Sequence, residues 1–139
     1  MAERGKLPLI LPTMISAETI LEKLRKVCLH MPGASETATF GHPTFQIGGK
    51  TFAVLEEYKG ELGIAFKVGK LMQGVFLKDP RFFLTPYAGK HGWVTLRVHA
   101  AELNWTEIRG LLRGSYDLVA ANNPGPRDKS SSRPDRRRR

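Results

Sequence analysis

The stretch Thr44-Phe45-Gln46-Ile47-Gly48-Gly49-Lys50-Thr51-Phe52-Ala53-Val54-Leu55-Glu56-Glu57 decides the fold. Two runs rich in aromatic and β-branched residues, Thr44 to Ile47 and Lys50 to Glu57, flank a Gly-Gly pair. Glycine takes the positive φ angles of a two-residue hairpin turn without steric penalty, so the segment predicts two antiparallel strands. In the second strand, a period of two places Phe52, Val54, Glu56 and Tyr58 on one face.

Lys59-Gly60 predicts the next turn, and Leu62, Ile64, Phe66 and Val68 then alternate with Gly63, Ala65 and Lys67 as a strand buried on one face. Lys70 to Lys78 predicts a short helix with Leu71, Met72, Val75 and Phe76 inward, ended by Asp79-Pro80. Arg81 to Gly92 reads as a loop rich in aromatics and glycine. Trp93 to Val98 reads as a strand with Val94, Leu96 and Val98 on one face. Asn104 is placed to cap a last helix, with Glu107 at the capping-box position and an apolar stripe of Trp105, Ile108, Leu111, Leu112, Tyr116 and Val119. On the N-terminal side, Ser16 caps a helix with Ile20, Leu21, Leu24, Val27 and Cys28 on one face, stopped by Pro32-Gly33. Thr37 to Phe40 is a short candidate strand.

Short turns between strands favour antiparallel pairing. The expected fold is α+β: a two-layer sandwich, its antiparallel sheet carrying the helices on one face, in the order α-β(3-4)-α-β-α. Strand parity sends Gln46, Lys67 and Arg97, with Leu55, to the opposite face.

The chain has 139 residues, the size of one domain, with 41% hydrophobic and 25% charged residues. No apolar run reaches the roughly eighteen residues of a membrane helix, and Leu7 to Pro12 is too short and proline-broken for a signal peptide. Cys28 is the only cysteine, so no intrachain disulfide is available, which suits a cytoplasmic location. The net charge is +9, but residues 124–139 hold +5 of it in a low-complexity, arginine-rich tail expected to be disordered. The remaining +4 is modest, so the charge speaks for salt-sensitive attraction to polyanions more than for a specific site.

The blocks Met31-Pro32-Gly33-Ala34-Ser35-Glu36, Phe40-Gly41-His42-Pro43-Thr44-Phe45 and Gly48-Gly49-Lys50 with Phe52-Ala53 resemble the MmcQ/YjbR family. So do Asp79-Pro80-Arg81-Phe82-Phe83, Pro86-Tyr87 and Gly89 through Gly92-Trp93-Val94, and the final helix is similar as well. The resemblance covers roughly residues 14 to 121. It implies a fold similar to that of secretion chaperones and a DNA-binding label that rests largely on fold comparison. It also implies a start near the first helix, with Met14 a candidate start. The expected organisation is an extension over 1–13, a domain over 14–123 and the tail over 124–139.

Enzyme chemistry finds little footing. Gly49-Lys50-Thr51 imitates the end of a P-loop, but Thr44 stands where the motif needs its first glycine and a strand follows instead of a helix. His30, His42, His91 and His99 have no metal-ligand spacing, and no Gly-x-Ser-x-Gly occurs, so neither a metal nor a cofactor is expected. Cys28 on an apolar helix face reads as a buried thiol. The loop from Asp79 to Trp93 mixes cations with aromatic rings, which would serve phosphate contact and stacking, or simply plug the core. Three functions are consistent with these residues. The first is a non-catalytic DNA-binding module using Lys67, Arg81, Lys90 and Arg97. The second is a chaperone-like protein- or peptide-interaction module, monomeric or homodimeric. The third is a small-ligand binder or enzyme built around His42, Tyr87, His91 and Trp93.

Overall fold

A computed structural model describes residues 16–100 and 102–121. The expected extension over 1–13, the tail over 124–139 and Asn122-Asn123-Pro124, where the domain is expected to end, lie outside the described residues.

Helix α1 spans Ala17–Cys28, and the Ser16 hydroxyl caps it by accepting from the Thr19 amide. Strands β1 (Ala34–Thr39), β2 (His42–Ile47), β3 (Lys50–Tyr58) and β4 (Glu61–Lys67) follow, then helix α2 (Lys70–Leu77) and β5 (Phe82–Leu84). A 3-10 turn (Ala88–His91), strand β6 (Trp93–Arg97) and helix α3 (Trp105–Ala121) complete the domain. The six strands form one antiparallel sheet in the order β1-β2-β3-β4-β6-β5, an α+β arrangement with the helices packed on one face.

Three consecutive hairpins build the first four strands, each with a two-residue loop whose residues both have positive φ. They are Phe40-Gly41 (51° and 82°), Gly48-Gly49 (60° and 80°) and Lys59-Gly60 (53° and 81°). Positive φ at both central residues marks the turn type whose twist matches that of paired strands. The loop expected over Arg81 to Gly92 contains strand β5 and the 3-10 turn. A three-residue strand is too short to leave a period in the sequence.

The pairing of β2 with β3 shifts between Phe45↔Ala53 and Gln46↔Thr51, which leaves Phe52 as a bulged residue. The bulge changes the phase of β3. Phe52 and Leu55 are both in the core, whereas Val54 and Glu56 turn to the other side. The expected grouping of Phe52 with Val54, Glu56 and Tyr58 is thereby corrected, and Leu55 lies under the helices. The β3–β4 register runs from Tyr58↔Glu61 to Ala53↔Phe66, so Phe52 and Lys67 would form the next pair. Instead the Ser115 hydroxyl of α3 stands between them. It donates to the Phe52 carbonyl at 2.7 Å and accepts from the Lys67 amide at 2.9 Å.

Ile20 and Leu24 of α1 and Ile108, Leu112 and Val119 of α3 close over Phe45, Leu55, Ile64, Phe66, Val94 and Leu96. Tyr116 meets the Phe52 ring edge-on at 5.4 Å, and its hydroxyl donates to the Pro32 carbonyl. Helix α2 is a correction. Leu71, Met72 and Val75 are exposed, and only Phe76 reaches inward, edge-on to Phe66 and Phe82 at 6.1 and 5.1 Å. Besides Phe76, half-buried Gln73 holds the helix to the sheet margin by donating to the Gly89 and Trp93 carbonyls at 2.7 and 3.0 Å.

Ser115→Ala should therefore cost more than a surface substitution. It orphans a buried carbonyl and a neighbouring amide, each worth about 1–3 kcal/mol when left unsatisfied. Urea denaturation should show a loss of about 2 kcal/mol or more, and a change lost in the noise would mean the wedge is dispensable.

Candidate functional site

The cations expected to contact nucleic acid are spread over the molecule and differ in how they are engaged. The Arg81 guanidinium reaches Glu107 at 2.8 and 3.0 Å and Asp79 at 2.8 and 3.1 Å. These hydrogen bonds hold both carboxyls below the ordinary carboxylate range. Asn104 caps α3 by accepting from the Thr106 and Glu107 amides, but the Glu107 side chain turns to Arg81 and does not close the capping box. Arg97 pairs with Glu61 at 2.7 Å, donates to the Pro80 carbonyl and covers the Phe83 ring at 4.8 Å. Arg25 and Arg113 pair with Glu36 and Asp117. Four of the five arginines among the described residues are thus tied to carboxylates. Lys90 is exposed on the 3-10 turn, and Lys67 is half-buried at the end of β4.

The face of the sheet turned away from the helices carries a hollow of about 290 Å³. Buried Ala65 lines it together with Val54, Glu56 and Thr51 of β3. Thr39, Phe40 and His42 close one side, and Thr85, Pro86, Tyr87, Ala88 and Trp93 the other. His42, Tyr87 and Trp93, singled out in the sequence, come together here. His91 is exposed at the end of the 3-10 turn and is not among the lining residues. Two lining hydroxyls are already engaged: Thr85 with Thr95 at 2.9 Å and Thr51 with the Gln46 amide at 3.3 Å.

The rim has an unusual construction. Phe40 has φ +51° and Tyr87 φ +64°, and their rings are 94% and 92% exposed. Tyr87 (ψ −49°) is the centre of a γ-turn closed by the Ala88 amide on the Pro86 carbonyl, the strained hand of that turn. Bulky residues at positive φ cost roughly 1–3 kcal/mol. Burial does not offset that cost for either ring. Backbone strain collects at binding sites, and of the three non-glycine residues at positive φ among the described residues, the two aromatic ones border this hollow while Lys59 does not.

Sequence reasoning missed Phe40 and Glu56 as site residues. Phe40 followed a strand pattern, and only its place in a two-residue turn, next to Gly41, hinted otherwise. Cys28 is fully buried, and desolvation pushes its thiol up to about 12, so it offers no nucleophile near neutrality. Among the described residues, no group of His, Cys, Asp or Glu could hold a metal ion, and no helix is long and apolar enough to cross a membrane.

The Arg81 cluster has a pH signature. A carboxyl held low in the folded chain stabilises it above the ordinary value of about 4, and that stability is lost as the pH falls through and below this range. The stability of the wild type should drop between neutral pH and pH about 3, with Glu107→Gln showing a shallower drop in thermal melts. Equal slopes would show the cluster to be energetically idle.

Comparison with known proteins agrees with this architecture. The Deinococcus radiodurans protein DR2400, a DUF419-domain structure, superposes with a TM-score of 0.61 at 25% identity, covering 73% of this chain and 79% of that one. A Pseudomonas syringae protein structure matches with a TM-score of 0.61 at 16% identity, covering 76% of this chain and 99% of that one, a likeness of fold alone. No curated protein matches the sequence. The YjbR family model matches residues 29–118, most of the described domain, and the chain belongs to the YjbR family.

Proposed function

We propose that this chain is a non-catalytic binding module that seats a small group of its partner in the hollow on the open face of the sheet. The observation that carries this reading is the pair of exposed aromatic residues, Phe40 and Tyr87, held at positive φ on opposite sides of one concavity. An exposed ring gains little from its own fold, so a strained one is best accounted for by what it contacts when a partner arrives. The volume, about 290 Å³, is at the small end of ligand sites, which run from roughly 300 to 1,000 Å³. That size suits one ring or one headgroup.

DNA binding through Lys67, Arg81, Lys90 and Arg97 is the second reading. It is favoured by exposed Lys90, by the net charge of +9, and by rings that could stack on bases. The ion pairs of Arg81 and Arg97 count against it, since a phosphate would have to displace Glu107, Asp79 or Glu61. On this reading, affinity for a single-stranded oligonucleotide falls steeply with salt. Lys67→Ala with Lys90→Ala should then weaken it, whereas Arg81→Ala should chiefly lower stability.

The first reading is tested on the isotope-labelled full chain by NMR titration with choline, thymidine monophosphate and N-acetyl-tyrosinamide. At least one of the three should shift the amides of Thr39, Thr51, Ala65 and Ala88 at millimolar concentration, and Phe40→Ala with Tyr87→Ala should abolish the shifts. Shifts absent from the hollow for all three probes would sink it.

A further inference from the structure

The lining of the hollow joins aromatic rings to a single carboxylate, with His42 as a further ring at its edge. Three aromatic rings reach it from three different elements: Phe40 from the β1–β2 turn, Tyr87 from the γ-turn and Trp93 from β6. Glu56 is the only aspartate, glutamate, lysine or arginine in the lining. It is half-buried, and its register partner on β4 is Gly63, whose side-chain space the Thr95 methyl group fills. Glu36, Glu61, Asp79, Glu107 and Asp117 all pair with arginines, but no side-chain hydrogen bond or ion pair is found for Glu56 among the described residues. A partly desolvated carboxylate without a counter-charge favours a cation.

We propose that the hollow is a receptor for an organic ammonium headgroup, with the alkylated nitrogen among the faces of Phe40, Tyr87 and Trp93 and Glu56 as its counter-charge. This rests on the reading of the open face as the binding surface. Aromatic faces carry negative potential and attract cations, most strongly when the cation is weakly hydrated, as a fully alkylated nitrogen is. Such a group has no N–H to satisfy. That fits a site in which the Thr51 and Thr85 hydroxyls are already engaged. A phosphate would meet Glu56 with no lysine or arginine in the lining to receive it.

The test uses the full chain and two probes of one shape, choline chloride and 3,3-dimethylbutan-1-ol, which has carbon in place of the nitrogen. Choline should perturb the amides around the hollow and bind about ten-fold more tightly than the alcohol. Glu56→Gln should weaken choline about five-fold or more and leave the alcohol unchanged. A trimethyl-lysine peptide beside its unmethylated twin separates the sources. Choline binding alone points to a free headgroup, binding of both admits a modified lysine, and either supports the ammonium class. If the alcohol binds as well as choline, the cation assignment fails while the hollow remains a binding surface. If no probe, charged or neutral, reaches the hollow, the reading of the open face fails with it. Because the comparison of choline with the alcohol needs only the wild-type chain, poor folding of the Glu56 variant would not shelter the proposal.

Discussion

The hydroxyl of Ser115 stands where a strand pair should continue, and much of the molecule follows from that. With the hydroxyl between the Phe52 carbonyl and the Lys67 amide, the β3–β4 ladder ends at Ala53↔Phe66, and α3 is tied to both strands at once. On its other edge β3 accommodates Phe52 as a bulge against β2. A strand without the bulge would carry Phe52, Val54 and Glu56 on one face. Because the register with β4 holds Ala53 and Leu55 beside Phe66 and Ile64 in the core, Phe52 would then leave it. The bulge lets Phe52 and Leu55 both enter the core while Val54 and Glu56 keep to the open face. The bulge and the Ser115 hydrogen bond thus meet at one residue, Phe52, on the two edges of β3.

A second constraint concerns charge. The arginines of the domain act mostly as ties. Arg81 links the end of α2 to the first turn of α3 through Asp79 and Glu107, and Arg97 joins β6 to β4 through Glu61. Each pair is a third or more exposed, so solvent limits what it contributes. Pairing of this kind removes cations from any anion-binding surface, and a count of basic residues in the sequence overstates what is available. The same pairing makes Glu56 stand out, as a half-buried carboxylate in a domain where most others have an arginine.

The hairpins were legible because glycine in a short turn has a local meaning that tertiary contacts rarely override. Gly48-Gly49 and Lys59-Gly60 fixed the antiparallel meander, and Ser16 and Asn104 marked helix starts through their capping hydrogen bonds. The phase of β3 was not legible, because Phe52, Val54 and Leu55 are all apolar and a period of two selects Phe52 with Val54. The exposure of Leu71 and Val75 was hidden for a related reason: helical spacing shows which residues share a face, not whether a neighbour covers it. In the hollow, His42, Tyr87 and Trp93 drew attention by composition. Phe40 and Glu56 did not, because strain at one and the missing partner at the other exist only once the chain is folded.

The central claim is that Phe40 and Tyr87 are kept for a partner and at a cost to the fold. Equilibrium denaturation of the full chain carrying Phe40→Asn and Tyr87→Gly addresses it most directly, since both replacements accept positive φ. Greater stability than the wild type, by about 1 kcal/mol or more, is the predicted result. A less stable variant would contradict the account, because it would make the two rings part of the structure that holds the domain together.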